Sequence, residues 1–424
     1  MTAATLPKYL ERSDSDFIRV DYSGSVTSER VDRETTAALN LDQRQLSQWC
    51  GMNLDLSGAI FIEPAAFQCI IAQIKALLRM RAPVMVRVPK SKRVRDFMRV
   101  WEVDRAFYDA LGYSLAALAP DADRKAFFEE EQTHYTELEY PENVRKTRVV
   151  SKSDKILPSS FFAFHTDALS GMRLSSRLAY AETEYWKHKN IKNILKRKLG
   201  SNYSYFPGRI VFESYLNAIR HPGAEVLQTT SWDQSDLVDN KNKGQFTTIF
   251  WDDGLGMGQT LLRGIERGYP VVSLVDNDLH RSYLVVSSQD DEAGTATNKQ
   301  YEKIDSNLDI KAIVDEKTAL LAMIFPGVTS SPFDTLHAVP NEVLEADPRF
   351  GGRGMGLHVL VNAVTEVFGG SVAFRSGQYF INIRAPSPKE KKKHKVDIRV
   401  RVRRRNDLLP EFVGNMVTVR LPVI

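Results

Sequence analysis

In FESYLNAIRHPG, Glu213 and Asn217 stand four residues apart, so a helix would project a carboxylate and a carboxamide from one face, with Arg220 a turn beyond. Phe212, Leu216 and Ile219 share another face. A carboxylate accepts protons, and an amide offers both a donor and a neutral oxygen. Taken alone, the pattern is equally that of an amphipathic helix with a solvated stripe. A second polar group follows in TTIFWDDGLGMG, where a strand over Thr247 to Trp251 runs into Asp252, Asp253 and a turn bearing Gly254 and Gly256. Glycines at alternate positions permit close backbone approach, which a ligand could use, although an Asp-Gly turn needs no ligand. The third group is GGRGMGLHVL, in which Gly351, Gly354 and Gly356 open an apolar helix. Free amides and the positive end of a helix dipole favour an anion there. Neither standard nucleotide fingerprint fits. Leu357 and His358 stand where a P-loop needs Lys and Ser or Thr, and Val359 stands where a dinucleotide fold needs Gly or Ala.

The elements that must position these residues alternate between β and α patterns throughout, so the fold class is α/β. Leu357, Leu360, Val361, Val364 and Phe368 give the third group a buried helix face. In the N-terminal part, NLDLS and AIFI read as strands, Ala65 to Arg81 as a helix, Val84 to Val88 as a buried strand, and Val94, Phe97, Met98 and Trp101 as one face of a second helix. Residues 119–160 turn acidic, then basic, and read as a linker. Met172 to Leu199 carries a long helical pattern whose Lys-rich end suits the macrodipole. The 424 residues, 43% of them hydrophobic, supply core for two or three domains, and a net charge of +4 gives no overall field for nucleic acid or membrane. Cys50 and Cys69 have no metal spacing, and no apolar run approaches the ~18 residues of a membrane span. A cytoplasmic protein is the expectation.

Together the three groups, Glu-x-x-x-Asn-Ala, Asp-x-Gly-x-Gly-Met and Gly-x-x-Gly-x-Gly-Leu, resemble the boxes of the GHKL ATPases, the superfamily of gyrase, histidine kinases, heat-shock chaperones and mismatch-repair clamps. MIFPGVTSS resembles the ATP-lid segment of the kinases, and GNMVTVRLPVI their last strand. The resemblance covers residues 161–424 and implies a Bergerat α/β sandwich with a mixed sheet. It implies ATP and Mg2+ as cofactors, Glu213 as the catalytic residue that orients or deprotonates the attacking group, and Asn217 as the metal ligand. Asp252 would accept the adenine amino hydrogen; Gly254, Gly256 and Met257 would pass close to the base; Gly351, Gly354, Gly356 and Leu357 would serve the phosphate side. Thr418 is placed beside the adenine by the same analogy. Two departures stand out: Asp253 replaces a frequent Asn and adds charge, and an insertion over residues 258–350 enlarges the lid. Within it, VVSLVDNDLHRSYLVVSS reads as two strands around a polar turn, and Asp315 to Phe325 as a helix.

Residues 1–118 resemble the STAS domain of anti-sigma-factor antagonists, in the order LDLSGAIFIEPAAF, helix, VMVRVPKSKRVRDFMRV. That family's phosphorylated hydroxyl would fall near Pro64-Ala65-Ala66, where none exists. The resemblance implies a protein partner. The activity expected is a slow ATPase or ATP-driven switch, with a protein kinase and a nucleotide-dependent scaffold as alternatives; a homodimer is a candidate assembly. In residues 379–405, YFINIR and VDIRVRV read as a hairpin with a Lys-rich tip at Lys391, Lys392 and Lys393, and Arg399, Arg401 and Arg403 share a strand face. A solvated loop explains this, as does contact with nucleic acid. His165 and His221 lack the surroundings of a phospho-acceptor helix.

Overall fold

The computed structural model describes residues 16–42, 50–127, 162–165, 189–220, 224–233, 244–267, 281–290, 296–305, 310–325 and 356–423. The protein is mixed α/β and divides into two units. One comprises Met1–Ala163, Asp291–Thr295 and Asn406–Glu411, and the other Phe164–Asp290, Ala296–Arg405 and Phe412–Ile424.

In the first unit, β1 (Phe17–Asp21), β3 (Gly51–Asp55) and β5 (Val84–Arg87) form a parallel sheet in that order, while β2 (Gly24–Val26) and β4 (Ala59–Ile62) pair parallel in a second, two-stranded sheet. Parallel neighbours need crossovers, which α1 (Ser28–Asp42) and α2 (Pro64–Arg79) supply. Pro64 starts α2, where its missing N–H costs nothing, and the run Phe67, Ile70, Ile71, Ile74 and Leu77 is buried. Phe67 meets Trp101 edge-on at 6.1 Å between ring centres. Ala65 and Ala66 are fully buried in the first turn of α2, so no surface hydroxyl is offered there. Inside, Gln73 donates to Thr35 Oγ1 at 3.1 Å, which also lies 2.8 Å from the Tyr22 hydroxyl. Burial raises the Tyr22 pKa above its ordinary value. Three further helices follow α3 (Lys92–Val100): α4 (Val103–Leu111), α5 (Leu115–Leu118) and α6 (Asp121–Phe127). Asp123 accepts from Val88 N at 3.1 Å and Arg124 donates to Ala116 O at 3.0 Å, which fastens α6 to this unit although its composition reads as linker.

The second unit is built on a nine-stranded sheet, ordered β10-β9-β13-β12-β11-β14-β8-β7-β6. Its strands are β6 (Phe162–His165), β7 (Val226–Asp233), β8 (Gly244–Asp252), β9 (Ser282–Asp290), β10 (Ala296–Asp305), β11 (Ser371–Gly377), β12 (Tyr379–Arg384), β13 (Ile398–Arg404) and β14 (Phe412–Val423). β13 and β9 run parallel, whereas the registers of β7 with β8, β8 with β14, β14 with β11, β11 with β12, β12 with β13, and β9 with β10 are antiparallel. Helices α7 (Lys189–Leu199), α8 (Phe212–Arg220), α9 (Met257–Glu266), α10 (Glu316–Ala322) and α11 (Gly356–Asn362) accompany it. One sheet face carries Phe250, Ser376, Asn415 and Tyr283. Tyr215 of α8 meets Phe250 edge-on at 5.5 Å, Met257 of α9 bonds Ser376, and Phe325 beyond α10 packs on Tyr283 at 4.8 Å. The helices therefore cover that face.

The described parts of the insertion do more than enlarge a loop. SYLVVSS becomes β9, where a strand is expected, with its apolar run Tyr283–Val286 buried, while residues 271–280 lie outside the described residues. The partner of β9 is β10, ATNKQYEKID, which no apolar alternation advertises because it ends the sheet and exposes most of its side chains. Of the long pattern over residues 172–199, α7 is described from Lys189. β12 and β13 pair as a hairpin, but its Lys-rich tip is a helix, α12 (Pro388–His394). There Ser387 and Glu390 form a reciprocal capping box and Pro388 begins the first turn.

Candidate functional site

Asp252 ends β8 on the helix-covered face, opposite Asn415 of β14 in the register. Its Oδ1 accepts from Gly254 N at 3.0 Å and from Asn415 Nδ2 at 3.1 Å; Oδ2 lies 3.3 Å from the same amide. Asn415 Nδ2 also reaches Leu255 O at 2.9 Å, and its Oδ1 accepts from Met257 N at 2.7 Å. Ser376 Oγ shares that amide hydrogen at 2.9 Å. One asparagine thus ties the end of β8, the glycine turn and the first residue of α9 into a single fixture. Burial drives the Asp252 carboxyl up to about 8; Asp253 adds to the rise, while the bonds from Gly254 and Asn415 oppose it.

Asp253 has a different task from the one its charge suggests. It is fully buried, and its Oδ1 accepts from Glu225 N at 2.7 Å and Val226 N at 2.8 Å, which pins the start of β7. The turn glycines also answer to the protein itself. A Cβ on Gly254 would come 3.1 Å from Ala224 Cβ and from Asp252 Oδ1, one on Gly256 3.0 Å from Ser376 Oγ, and one on Gly258 2.8 Å from Glu316 Cγ. Gly414, at φ +75°, adopts the left-handed conformation, and a Cβ there would overlap the carbonyl oxygen of Asp252.

Glu213 and Asn217 lie on α8, which packs against β8 and against α11. Glu213 is 6% exposed. Asn217 Nδ2 is buried and makes no hydrogen bond among the described residues. Leu357 of α11 is buried and belongs to the core. Gly356 begins α11, whereas Gly351, Arg353 and Gly354 lie outside the described residues, as does His221. The fold therefore sets α8, with α11 packed against it, over the sheet face on which Asp252 ends β8.

Thr418 is not at this place. It pairs with Ile249 and Ala373, three residues further along β14 and on the other face of the sheet, and Asn415 is the residue of β14 that stands beside Asp252. Asn415 and Ser376 escaped the sequence reading. The clue was GN at the start of GNMVTVRLPVI, where a positive-φ glycine lets the next side chain reach Asp252. His358, read only as a missing serine, is 1% exposed. Its Nδ1 lies 3.3 Å from Ile324 O and its Nε2 2.9 Å from Asn362 Nδ2, so the ring donates at Nδ1 and accepts at Nε2. Burial depresses its pKa and favours that neutral form.

Fold and site define a two-unit α/β protein whose larger unit sets buried carboxylates and amides between a mixed sheet and one helical layer. No family model matches the chain, and neither the curated proteins nor the solved structures contain a match. No helix among the described residues is long and apolar enough to cross a membrane.

Proposed function

We propose that the second unit is a GHKL-type module that binds ATP with Mg2+ and that nucleotide turnover drives a switch acting on a protein partner through the STAS-like first unit. The observation that carries this reading is the Asp252–Asn415 fixture. Oδ1 of Asp252 takes the two shorter bonds, while Oδ2 has only the longer 3.3 Å contact from Asn415 and so keeps acceptor capacity for an incoming amino group. A base presenting a carbonyl there would meet oxygen against oxygen, so the site favours adenine.

The donor set fits a hard cation held mainly by phosphate and water. Nδ2 of Asn217 is buried without a hydrogen bond, so the fold does not fix this amide through its nitrogen, and its oxygen is a hard donor. Bound there, Mg2+ would neutralise charge on the transferred phosphoryl group. Glu213, one turn earlier and shielded from solvent, would take the proton from the attacking water. Release of phosphate from ATP tests the reading. Glu213→Ala should stop release while binding persists, and Asp252→Asn should abolish binding, because Oδ1 must remain an acceptor for Gly254 N and the new NH2 then replaces the acceptor at Oδ2. Equal ATP binding by wild type and Asp252→Asn would overturn the assignment. Transfer of label to a co-purified protein would replace the ATPase with a kinase.

A further inference from the structure

The face of the large sheet opposite α8, α9 and α10 carries a different chemistry at its β10–β12 end, where α12 borders it. Register places Arg384, Arg399, Leu284 and Lys303 in one row across β12, β13, β9 and β10, and Asn382, Arg401, Val286 and Tyr301 in the next. Directly paired residues share a face. Val402 and Val400, the alternate residues of β13, pair with Ile381 and Ile383 on the helix-covered side, so the arginines point away from it. Leu284 and Val286 are buried and cluster with Val396, forming an apolar floor between cationic margins. Tyr301 is 63% exposed on the outer margin.

Carboxylates neutralise only part of this charge. Glu390 of α12 serves both Arg384, at 3.0 Å, and Arg399, and Asp290 holds Arg403. Arg401 and Lys303 are exposed and have no ion pair among the described residues, and neither do Lys391, Lys392 and Lys393 on α12. The crowding registers on Arg399: burial first, then Arg384 and Arg401, pull its pKa down, and Tyr301 is close enough to act in the opposite sense. Like charges gathered on a fixed strand face are unfavourable without an anion to share.

We propose that this face binds single-stranded nucleic acid, with Arg401, Arg399 and Lys303 contacting phosphates and Tyr301 stacking on a base. Residues two apart on a strand are separated by roughly 6.5–7 Å, so Arg399 and Arg401 can meet successive phosphates of an extended strand. Arginine forks suit phosphate oxygens, and an exposed ring on a sheet offers a platform for an unstacked base. A duplex hides its base faces and would leave Tyr301 unused. An acidic protein would satisfy the cations but not the ring. The surface lies on the opposite side of the sheet from Asp252, so it stands independently of the nucleotide reading.

Fluorescence anisotropy of a labelled oligothymidylate, and of its uridylate counterpart, with the full chain at low salt tests this. Wild type should bind, more tightly than it binds a duplex of equal length. Arg401→Glu combined with Lys303→Glu should weaken binding more than tenfold and flatten the salt dependence by about 0.7 in logarithmic slope for each phosphate no longer neutralised. Tyr301→Ala should cost about fivefold to a hundredfold, while Tyr301→Phe keeps the stack and stays near wild type. Arg401→Ala, which adds no charge, should shift affinity in the same direction, and Asp252→Asn should bind the oligonucleotide normally. The proposal falls if wild type does not bind, if the double variant binds like wild type, if duplex binds equally well, or if polyglutamate displaces the strand at matched charge.

Discussion

Asp252→Asn should change the pH dependence of stability in a way that isolates one buried carboxyl. In the folded protein its pKa stands at about 8, against an ordinary value of 3.8. Between those limits the unfolded chain has released the proton and the folded chain keeps it, so folding takes up a proton and becomes less favourable as pH rises. The contribution is fully present below about 4 and lost by about 8. Its slope is about 1.4 kcal/mol per pH unit. Asparagine carries no proton to lose, and the other titrating groups are common to both proteins. The difference in unfolding free energy should therefore move in favour of Asp252→Asn by about 4 kcal/mol from pH 5 to pH 8. Urea titrations at unit pH intervals measure it. On the proposed adenine-nucleotide reading, the same linkage predicts that ATP affinity rises with pH up to about 8, because an amino hydrogen needs the ionised acceptor. A stability difference that stays flat from pH 5 to 8 would show that Gly254 and Asn415 hold Asp252 ionised, and that burial does not govern it.

Gly414→Ala should cost several kcal/mol, since the left-handed conformation alone is worth ~1–2 kcal/mol and the new Cβ must also push β14 from the Asp252 carbonyl; thermal unfolding would register it, and a near-neutral result would contradict the strand geometry. His358→Phe should lose ~1–3 kcal/mol by stranding Ile324 O and the Asn362 amide, and His358→Asn should recover part of this by keeping a donor toward Ile324. Because the folded pKa of His358 lies below its ordinary 6.5, wild type loses stability as pH falls through that value, with Arg281 and Glu366 the charged groups acting on it. The deficit of His358→Phe should accordingly shrink in urea titrations below pH 6.5 and not above it.

What was legible in the sequence follows the range of the forces involved. α2 and the β12–β13 hairpin carry a local apolar period, β8 and β9 carry runs of β-forming residues, and each stands where its pattern puts it. Glu213 and Asn217 share a helix, so their proximity is a matter of spacing alone. Asn415 is different. Its meaning depends on β14 lying beside β8 in one register, and shifting that register by a residue would turn Asn415 to the other face and bring Gly414 or Met416 to Asp252. The resemblance places Thr418 near the adenine, whereas the turn at Gly414 sets the side chain that follows it beside Asp252. β10 was silent for a related reason, since a strand ending a sheet buries little and need not alternate. The basic face was half visible: Arg399, Arg401 and Arg403 alternate plainly, but sequence could not say that Asp290, more than a hundred residues upstream, holds Arg403 while Arg401 stays exposed. The pairing of β9 with β13 settles both points, placing Asp290 within reach of Arg403 and setting Tyr301, on the next strand, beyond Val286 from Arg401. Asn415 and Arg401, whose neighbours lie on other strands, are thus brought to them by strand register, which local sequence does not carry.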